Sequence, residues 1–260
     1  MKHLVVIVTL LFAYTCNMFA QTSDATVIDQ PAQIIAVDPQ GYIYAVNDVT
    51  LYKYAPDGTL LYTSNNSMDG HIASIDVDNP LKIMLFYRDA GSIVFLDDKL
   101  SPIGNPIDLF SKGLTTISLA SYSTKNNIIL YDEANTDLII LDFYFNEKER
   151  IHYNFNSFNP VILKDINEQK IYMQDSQNGI YFFDSFGTYD KNIAILSEHP
   201  VQVLKDVIFY VKSNQLYSYN YLNLEAYTLI DLPEDTKQAL VYQNKLILSN
   251  GKTISIKNLK

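Results

Sequence analysis

One cysteine in 260 residues sets the first limit on this chain. Cys16 lies in the apolar N-terminal stretch, so everything after it has no thiol. Disulfides, thiolate nucleophiles and cysteine-based zinc sites are excluded there. Tryptophan is absent and glycine occurs only nine times. No Gly-x-Ser-x-Gly elbow is present, and no glycine-rich loop that could cradle phosphate. Helical periodicity is missing too: no segment holds a 3.6-residue apolar repeat over two turns. Long apolar runs are confined to LVVIVTLLFAY at positions 4–14, and nothing later is long enough to cross a membrane.

That run follows the basic start Met1-Lys2-His3 and leads into Asn17-Met18-Phe19-Ala20. A basic start, a short apolar core and a small residue before the junction form a secretory signal peptide, with cleavage expected after Ala20. An N-terminal membrane anchor is the rival reading, but the core falls short of the ~20 residues a span needs. Lipidation of Cys16 fits less well, because Ala13, Tyr14 and Thr15 match a lipobox poorly. The expectation is an exported protein, periplasmic (with outer-membrane association as one form) or extracellular, with a single domain over residues 21–260. A chain of this size buries roughly 70–75% of its unfolded surface, so its core can stabilise it without cross-links.

Taking Lys2 from the 19 basic residues leaves 18 against 29 acids, a net charge of −11. That balance repels phosphate backbones and argues against nucleic-acid binding. It also favours a chain that is monomeric on its own. Twenty tyrosines and thirteen phenylalanines beside nine glycines point to strands with aromatic packing.

The strands recur. YIYAVN (42–47) with TLYKYAPDGTLL (50–61) is matched by KIMLFYRD (82–89) with SIVFLDDKLSPI (92–103). The same pair returns at 128–148, 170–190, 207–225 and 245–258. The apolar residues opening the second run are Leu51, Ile93, Leu138, Ile180, Leu216 and Ile254, at steps of 42, 45, 42, 36 and 38. A further run precedes each pair: QIIAVD, HIASIDV, ISLASYS, PVILKDI, PVQVLKD and QALVYQ. Weaker strand-like pieces follow, such as LLYTS, RIHYNF, NIAIL and AYTLIDL. Turn residues punctuate them at Pro39-Gln40-Gly41, Pro56-Asp57-Gly58, Asn66-Ser67, Asn178-Gly179 and Asn250-Gly251.

Three or four short strands per unit of about 40 residues, six times over, predict an all-β, six-bladed β-propeller. The sixth unit ends after three runs, and ATVID (25–29) is a spare strand ahead of the first. Pairing the two would close the ring and remove an exposed sheet edge. A count of five or seven blades and a β-sandwich are the alternatives. The first unit, Asp38 to Asn47 and Leu51 to Leu60, resembles the blades of six-bladed NHL-type and related bacterial propellers. In those, an Asp-x-x-Gly turn precedes the second strand and an aromatic third strand ends in Pro-Asp-Gly. The resemblance covers one blade by motif and the whole chain by architecture. WD and Kelch repeats do not fit, for want of tryptophan and of paired glycines.

Propeller sites usually sit where the innermost strands enter the central channel. The residues opening those strands are Gln33, His71, Thr116, Asn159, His199 and Lys237. His71 and His199 would lie on opposite sides of one mouth, where neutral imidazoles can hold a metal; a solvated rim is the plainer expectation. The acidic stretch around Asp69-Gly70-His71 and Asp76-Val77-Asp78-Asn79 lacks the closing glutamate of a calcium loop and reads as a turn. Asp38, Asp76, Asp165 and Asp206 recur at the far ends of the inner runs and read as strand-ending turns. No metal site, no cofactor and no catalytic set emerges, and the sequence leans to a non-enzymatic role.

The expected role is a protein-protein interaction platform. Surplus aromatic rings in the loops are the candidate contacts, namely Phe143, Tyr144, Phe145, Phe186, Tyr189 and Tyr221. The export signal and the Asn/Lys/Tyr-rich composition are similar to those of Bacteroidetes. Small propellers there can be accessory, even pore-occluding, subunits of the type IX secretion translocon, which implies a partner at the outer membrane. A calcium-dependent lactonase-like or glycan-processing propeller, and a carbohydrate- or peptide-binding module, are the alternatives.

Overall fold

The computed structural model describes residues 25–65, 70–123, 125–166 and 169–259. The signal-peptide expectation, Cys16, the Asn66-Ser67 turn and Asp69 lie outside them. Strand β1 (Thr26–Ile28) leads. Blade 1 is β2 (Ile34–Val37), β3 (Ile43–Asn47), β4 (Thr50–Tyr54) and β5 (Leu60–Asn65). Blade 2 is β6 (Ser74–Asp76), β7 (Ile83–Tyr87), β8 (Ser92–Leu96) and β9 (Ile107–Asp108). Blade 3 is β10 (Ile117–Tyr122), β11 (Ile128–Asp132), β12 (Asp137–Leu141) and β13 (Glu147–His152). Blade 4 is β14 (Pro160–Ile166), β15 (Lys170–Asp175), β16 (Gly179–Asp184) and β17 (Tyr189–Ile193). Blade 5 is β18 (Gln202–Leu204), β19 (Val207–Lys212), β20 (Gln215–Asn220) and β21 (Glu225–Asp231). Blade 6 is β22 (Gln238–Tyr242), β23 (Lys245–Ser249) and β24 (Ile254–Asn258).

Each of the six sheets has four antiparallel strands, and five of them are simple meanders. The sixth is completed by β1, which pairs with β24 in the register Thr26–Ile256, Val27–Ser255 and Ile28–Ile254. The fold is therefore the six-bladed propeller the repeat predicts, fastened by the leading strand. Among the described residues helix is reduced to one short 3-10 turn, Phe110–Lys112. Among the described residues no helix is long and apolar enough to cross a membrane.

The second and third strands of each blade are apolar on both faces because both faces meet a neighbour. β7, β8, β11 and β12 are buried at every position. Buried clusters fill all six interfaces: Tyr44 with Leu85, Phe95 with Tyr122, Tyr131 with Phe183, Phe182 with Tyr221, Leu216 with Leu248, and Ile256 with Ile35. The aromatic surplus is concentrated between blades 3 and 4. There Phe155 lies within 5.0–5.2 Å of Tyr153, Phe158, Tyr181 and Tyr189, ring centre to ring centre. Offset and edge-to-face pairs of this kind add about 0.5–1.5 kcal/mol each beyond area burial.

One turn repeats between the third and fourth strands. Asp97, Asp142, Asp184 and Asn220 each accept backbone N–H groups of the following residues through the side chain. The fourth residue of the turn is left-handed: Gly58 and Gly187 in blades 1 and 4, but Leu100 and Phe145 in blades 2 and 3. A non-glycine residue with φ near +65° is disfavoured. These two are held there by packing, since Leu100 is buried and Phe145 leans into the blade 2–3 cluster.

Three glutamines bridge neighbouring blades, Gln238 and Gln202 from inner strands and Gln174 from β15. Gln238 Nε2 donates to the Ile35 carbonyl at 2.9 Å while its Oε1 accepts the Ile35 N–H at 2.8 Å. Gln202 makes the same pair with Val241, at 3.1 and 2.8 Å. Gln174 accepts from Val201 N at 2.8 Å and donates to the His199 carbonyl at 3.2 Å. A carboxamide offers one donor face and one acceptor, like a peptide group, so each glutamine extends the neighbouring sheet by one rung across a blade boundary. Truncating Gln238 to alanine strands the Ile35 N–H and C=O. We expect a loss of about 1–3 kcal/mol in urea unfolding, with an unchanged m-value.

Candidate docking face and central channel

All six inner strands run in the same direction around the ring, so their starts define an upper face and their ends a lower one. Between them lies a channel of about 330 Å³, lined by every inner strand, with Ile34, Ser74, Leu119, Ile162, Val203 and Leu240 among the walls.

The six residues expected at the upper mouth do not form a site together; of them only Gln33 lines the channel. Four of the others, His71, Thr116, Asn159 and Lys237, are engaged at or beside the turns between second and third strands. His71 Nδ1 contacts the Asp48 carboxylate. Thr116 Oγ1 donates to Asp132 at 2.6 Å, and the Asn159 N–H donates to Asp175 at 2.6 Å. The Lys237 N–H donates to the Ser249 carbonyl at 2.7 Å. His199 is half-buried, and burial lowers its pKa, with Glu198 opposing and Lys237 adding to the fall. The Asp132 and Asp175 carboxylates fasten each inner strand's start to its own blade and cap the adjoining turn through the backbone N–H groups of residues 134 and 135, and of 177 and 178. Among the described residues no group of three or more His, Cys, Asp or Glu side chains is placed to hold a metal ion.

The aromatic candidates fall on the lower face, in the turns between third and fourth strands. Tyr144 is 81% exposed and Phe186 65%, with Phe143 and Tyr189 also exposed. Phe143 is braced from beneath by Lys82, whose Nζ lies 3.2 Å from the ring centre. Leu222 and Leu224 in the blade 5 turn and Leu81 between β6 and β7 add exposed aliphatic surface to the same face. Phe145 differs, being half-buried as described above. Tyr221 is only 5% exposed: its ring meets Phe182 at 5.0 Å and its hydroxyl donates to the Lys205 carbonyl at 2.9 Å. Burial and Asp206 push its pKa up to about 12, so it is a packing residue rather than part of the exposed set.

The acids at the ends of the inner strands divide into two kinds. Asp38 caps its own turn, accepting Gln40 N and Tyr42 N at 2.9 and 3.0 Å and the Tyr44 hydroxyl at 3.1 Å. Burial, and then Asp38, hold the Tyr44 phenol protonated. Asp76 reaches out of its blade instead and gathers donors from blades 3 and 4. Sequence position marks both as strand-ending acids; the cross-blade role of Asp76 had no signal there.

Neither a family model nor a curated protein matches this chain. Solved structures match its fold. The Pan2 WD40 domain of Neurospora crassa aligns with a TM-score of 0.64 at 11% identity, over 88% of this chain and 89% of that one. A streptogramin B lyase aligns with a TM-score of 0.59 at 11% identity, over 91% and 88%. PorZ, a surface component of the type-IX secretion system of Porphyromonas gingivalis, aligns with a TM-score of 0.53 at 12% identity, over 91% of this chain and 38% of PorZ. At these identities the likeness is one of fold. The roles those proteins carry are diverse, as the architecture allows.

Proposed function

We propose that this propeller is an exported, non-enzymatic interaction platform that docks a protein partner on its lower face. The observation that carries the reading is the set of exposed rings and aliphatic side chains on the lower-face turns of blades 2 to 5, Tyr144 and Phe186 foremost. Exposed aromatic residues on rigid turns give large contact area at little entropic cost, and such residues dominate interface energetics. The finer reading is an accessory, pore-occluding subunit of an outer-membrane secretion machine of the type IX kind, with the NHL-like first blade as its repeat ancestry. The sequence character and the likeness of fold to PorZ support it.

The test is quantitative co-purification from native outer membranes, with the wild-type chain and a Tyr144→Ala/Phe186→Ala double variant. A stoichiometric membrane partner retained by wild type and reduced at least about tenfold in the variant is expected, since two hot-spot residues contribute 2 kcal/mol or more each. Equal recovery by both chains, or no partner at all, overturns the reading. Surface substitutions of this kind should leave thermal stability within about 0.5 kcal/mol of wild type.

A further inference from the structure

The central channel changes character along its length. Its volume of about 330 Å³ falls within the range that small-molecule sites occupy. The bore is aliphatic: Ile34, Leu119 and Ile162 line it from three blades, and each is only half-buried. Covering that surface with an apolar ligand is favourable, because it takes hydrocarbon out of water.

At the lower end the lining becomes charged, with Asp78, Lys164 and Asp165. Lys164 Nζ is already engaged, donating to Asp76 Oδ2 at 3.0 Å and to the Ile75 carbonyl at 2.8 Å. Lys125 lines a separate crevice between blades 3 and 4, which Asp165 also borders. With Lys125 counted, the carboxyl groups of Asp76, Asp78 and Asp165 still outnumber the two ammonium groups. The floor of a narrow apolar bore therefore carries surplus negative charge, which attracts a cation and repels an anion.

At the upper end the lining is neutral. Ile117 pairs with Asp132 and Leu119 with Tyr131, which leaves Ser118 between them as the extra residue of a β-bulge. Bulges re-aim side chains beside sites. Ser118 lines the channel at 8% exposure, and its hydroxyl has no hydrogen-bond partner among the described residues. Val161 is the matching bulge residue of β14. From Val161 to Asp165 the strand advances about 13 Å, at ~3.3 Å per residue. A linear chain of about eight carbons covers that distance, at ~1.3 Å per bond for ~1.5 Å bonds at ~111°.

We propose that the channel binds a linear aliphatic amine with a hydroxyl-type group at its far end. The ammonium sits at Asp78 and Asp165, the chain lies along Ile34, Leu119 and Ile162, and the far group meets Ser118. This site does not depend on the docking reading above, since its ligand lies inside the ring and not on the lower-face turns.

The probe is 8-amino-1-octanol at about pH 8, where aspartates are ionised and an aliphatic amine, like lysine, is protonated. Calorimetric titration of the native chain should show saturable one-to-one binding. Methyl NMR should place it through shifts at Ile34, Leu119 and Ile162. The uncharged 1,8-octanediol and the charge-reversed 8-hydroxyoctanoate should each bind at least about tenfold more weakly. 6-Amino-1-hexanol, two methylenes shorter, should also lose about tenfold. Nα-acetyl-lysine amide, which mimics a protein's lysine, should do no better than the shorter amine. Asp78→Asn/Asp165→Asn should erase the preference for the amine over the diol, whereas Ser118→Ala should weaken both alike, by about three- to tenfold. Diol or hydroxyoctanoate binding as tightly as the amine, or unshifted channel methyls, overturns the proposal. So does acetyl-lysine amide binding as tightly as the probe, which would make the occupant a protein side chain. These comparisons use the native chain and decide the matter even if the variants fail to fold.

Discussion

A chain lacking residues 25–29 should lose about 3–5 kcal/mol of stability and tend to associate. β1 supplies the outer strand of blade 6, and without it the whole edge of β24 is uncovered. Ile28 is 8% exposed and belongs to the cluster that joins blade 6 to blade 1, along with Ile254 and Ile256. Truncating a buried isoleucine costs about 2–5 kcal/mol, and Ile28, on the outermost strand of its sheet, falls at the lower end of that range. The ladder of three residue pairs and the exposed strand edge come on top. Thermal unfolding should show the melting temperature lowered by roughly 6–20 °C, at about 2–4 °C per kcal/mol for a domain of this size. Light scattering should show concentration-dependent association, and Ile28→Ala should give the milder part of the effect without it. A truncated chain that melts with wild type would mean that blade 6 holds with three strands.

Asp76→Ala should be nearly as damaging for a different reason. Asp76 is 1% exposed and accepts hydrogen bonds from Ser121, Tyr122 and Lys164. Removing one member of a buried ion pair leaves the other charge uncompensated, at a cost of about 3–5 kcal/mol. Replacing both members by apolar groups is often close to neutral. Asp76→Leu/Lys164→Met should therefore recover much of the loss in chemical denaturation, and the non-additivity measures the coupling directly. If the double variant is as unstable as the sum of the singles, the pair is not what holds blade 2 to blade 4.

The sequence carried the blade positions well, because period-2 runs between turn residues define strands locally. The closing pair was legible for the same reason: an incomplete last unit and a spare leading strand need no long-range information. Strand β9 was not, since two residues, Ile107 and Asp108, make no pattern. The candidate sites were harder. Spacing places Asp38 and Asp76 at equivalent ends of equivalent strands, yet one caps its own turn and the other reaches two blades. Which neighbour an inward side chain meets depends on the lateral fit of the strands around the channel, and a repeat averages that away. Tyr144 and Tyr221 look alike as loop rings, and only the packing of Phe182 against Tyr221 separates the buried one from the exposed one. Gln202 and Gln238 did leave a trace, 36 residues apart near the start of inner runs, but an exposed-strand reading accounts for glutamine equally well.

The seam between β1 and β24 is non-covalent, a strand ladder with Thr26 opposite Ile256 and the packing of Ile28 behind it. Antiparallel pairing brings the start of β1 and the finish of β24 to one side of the disc. A short hairpin linker could therefore join them covalently and turn the sixth sheet into a meander like the other five. New termini could then be cut at a surface turn of any other blade. Such circular permutants would move the non-covalent fastening from one boundary to the next around the ring. Their relative stabilities would rank the six boundaries by strength, which a single fixed pair of ends cannot do.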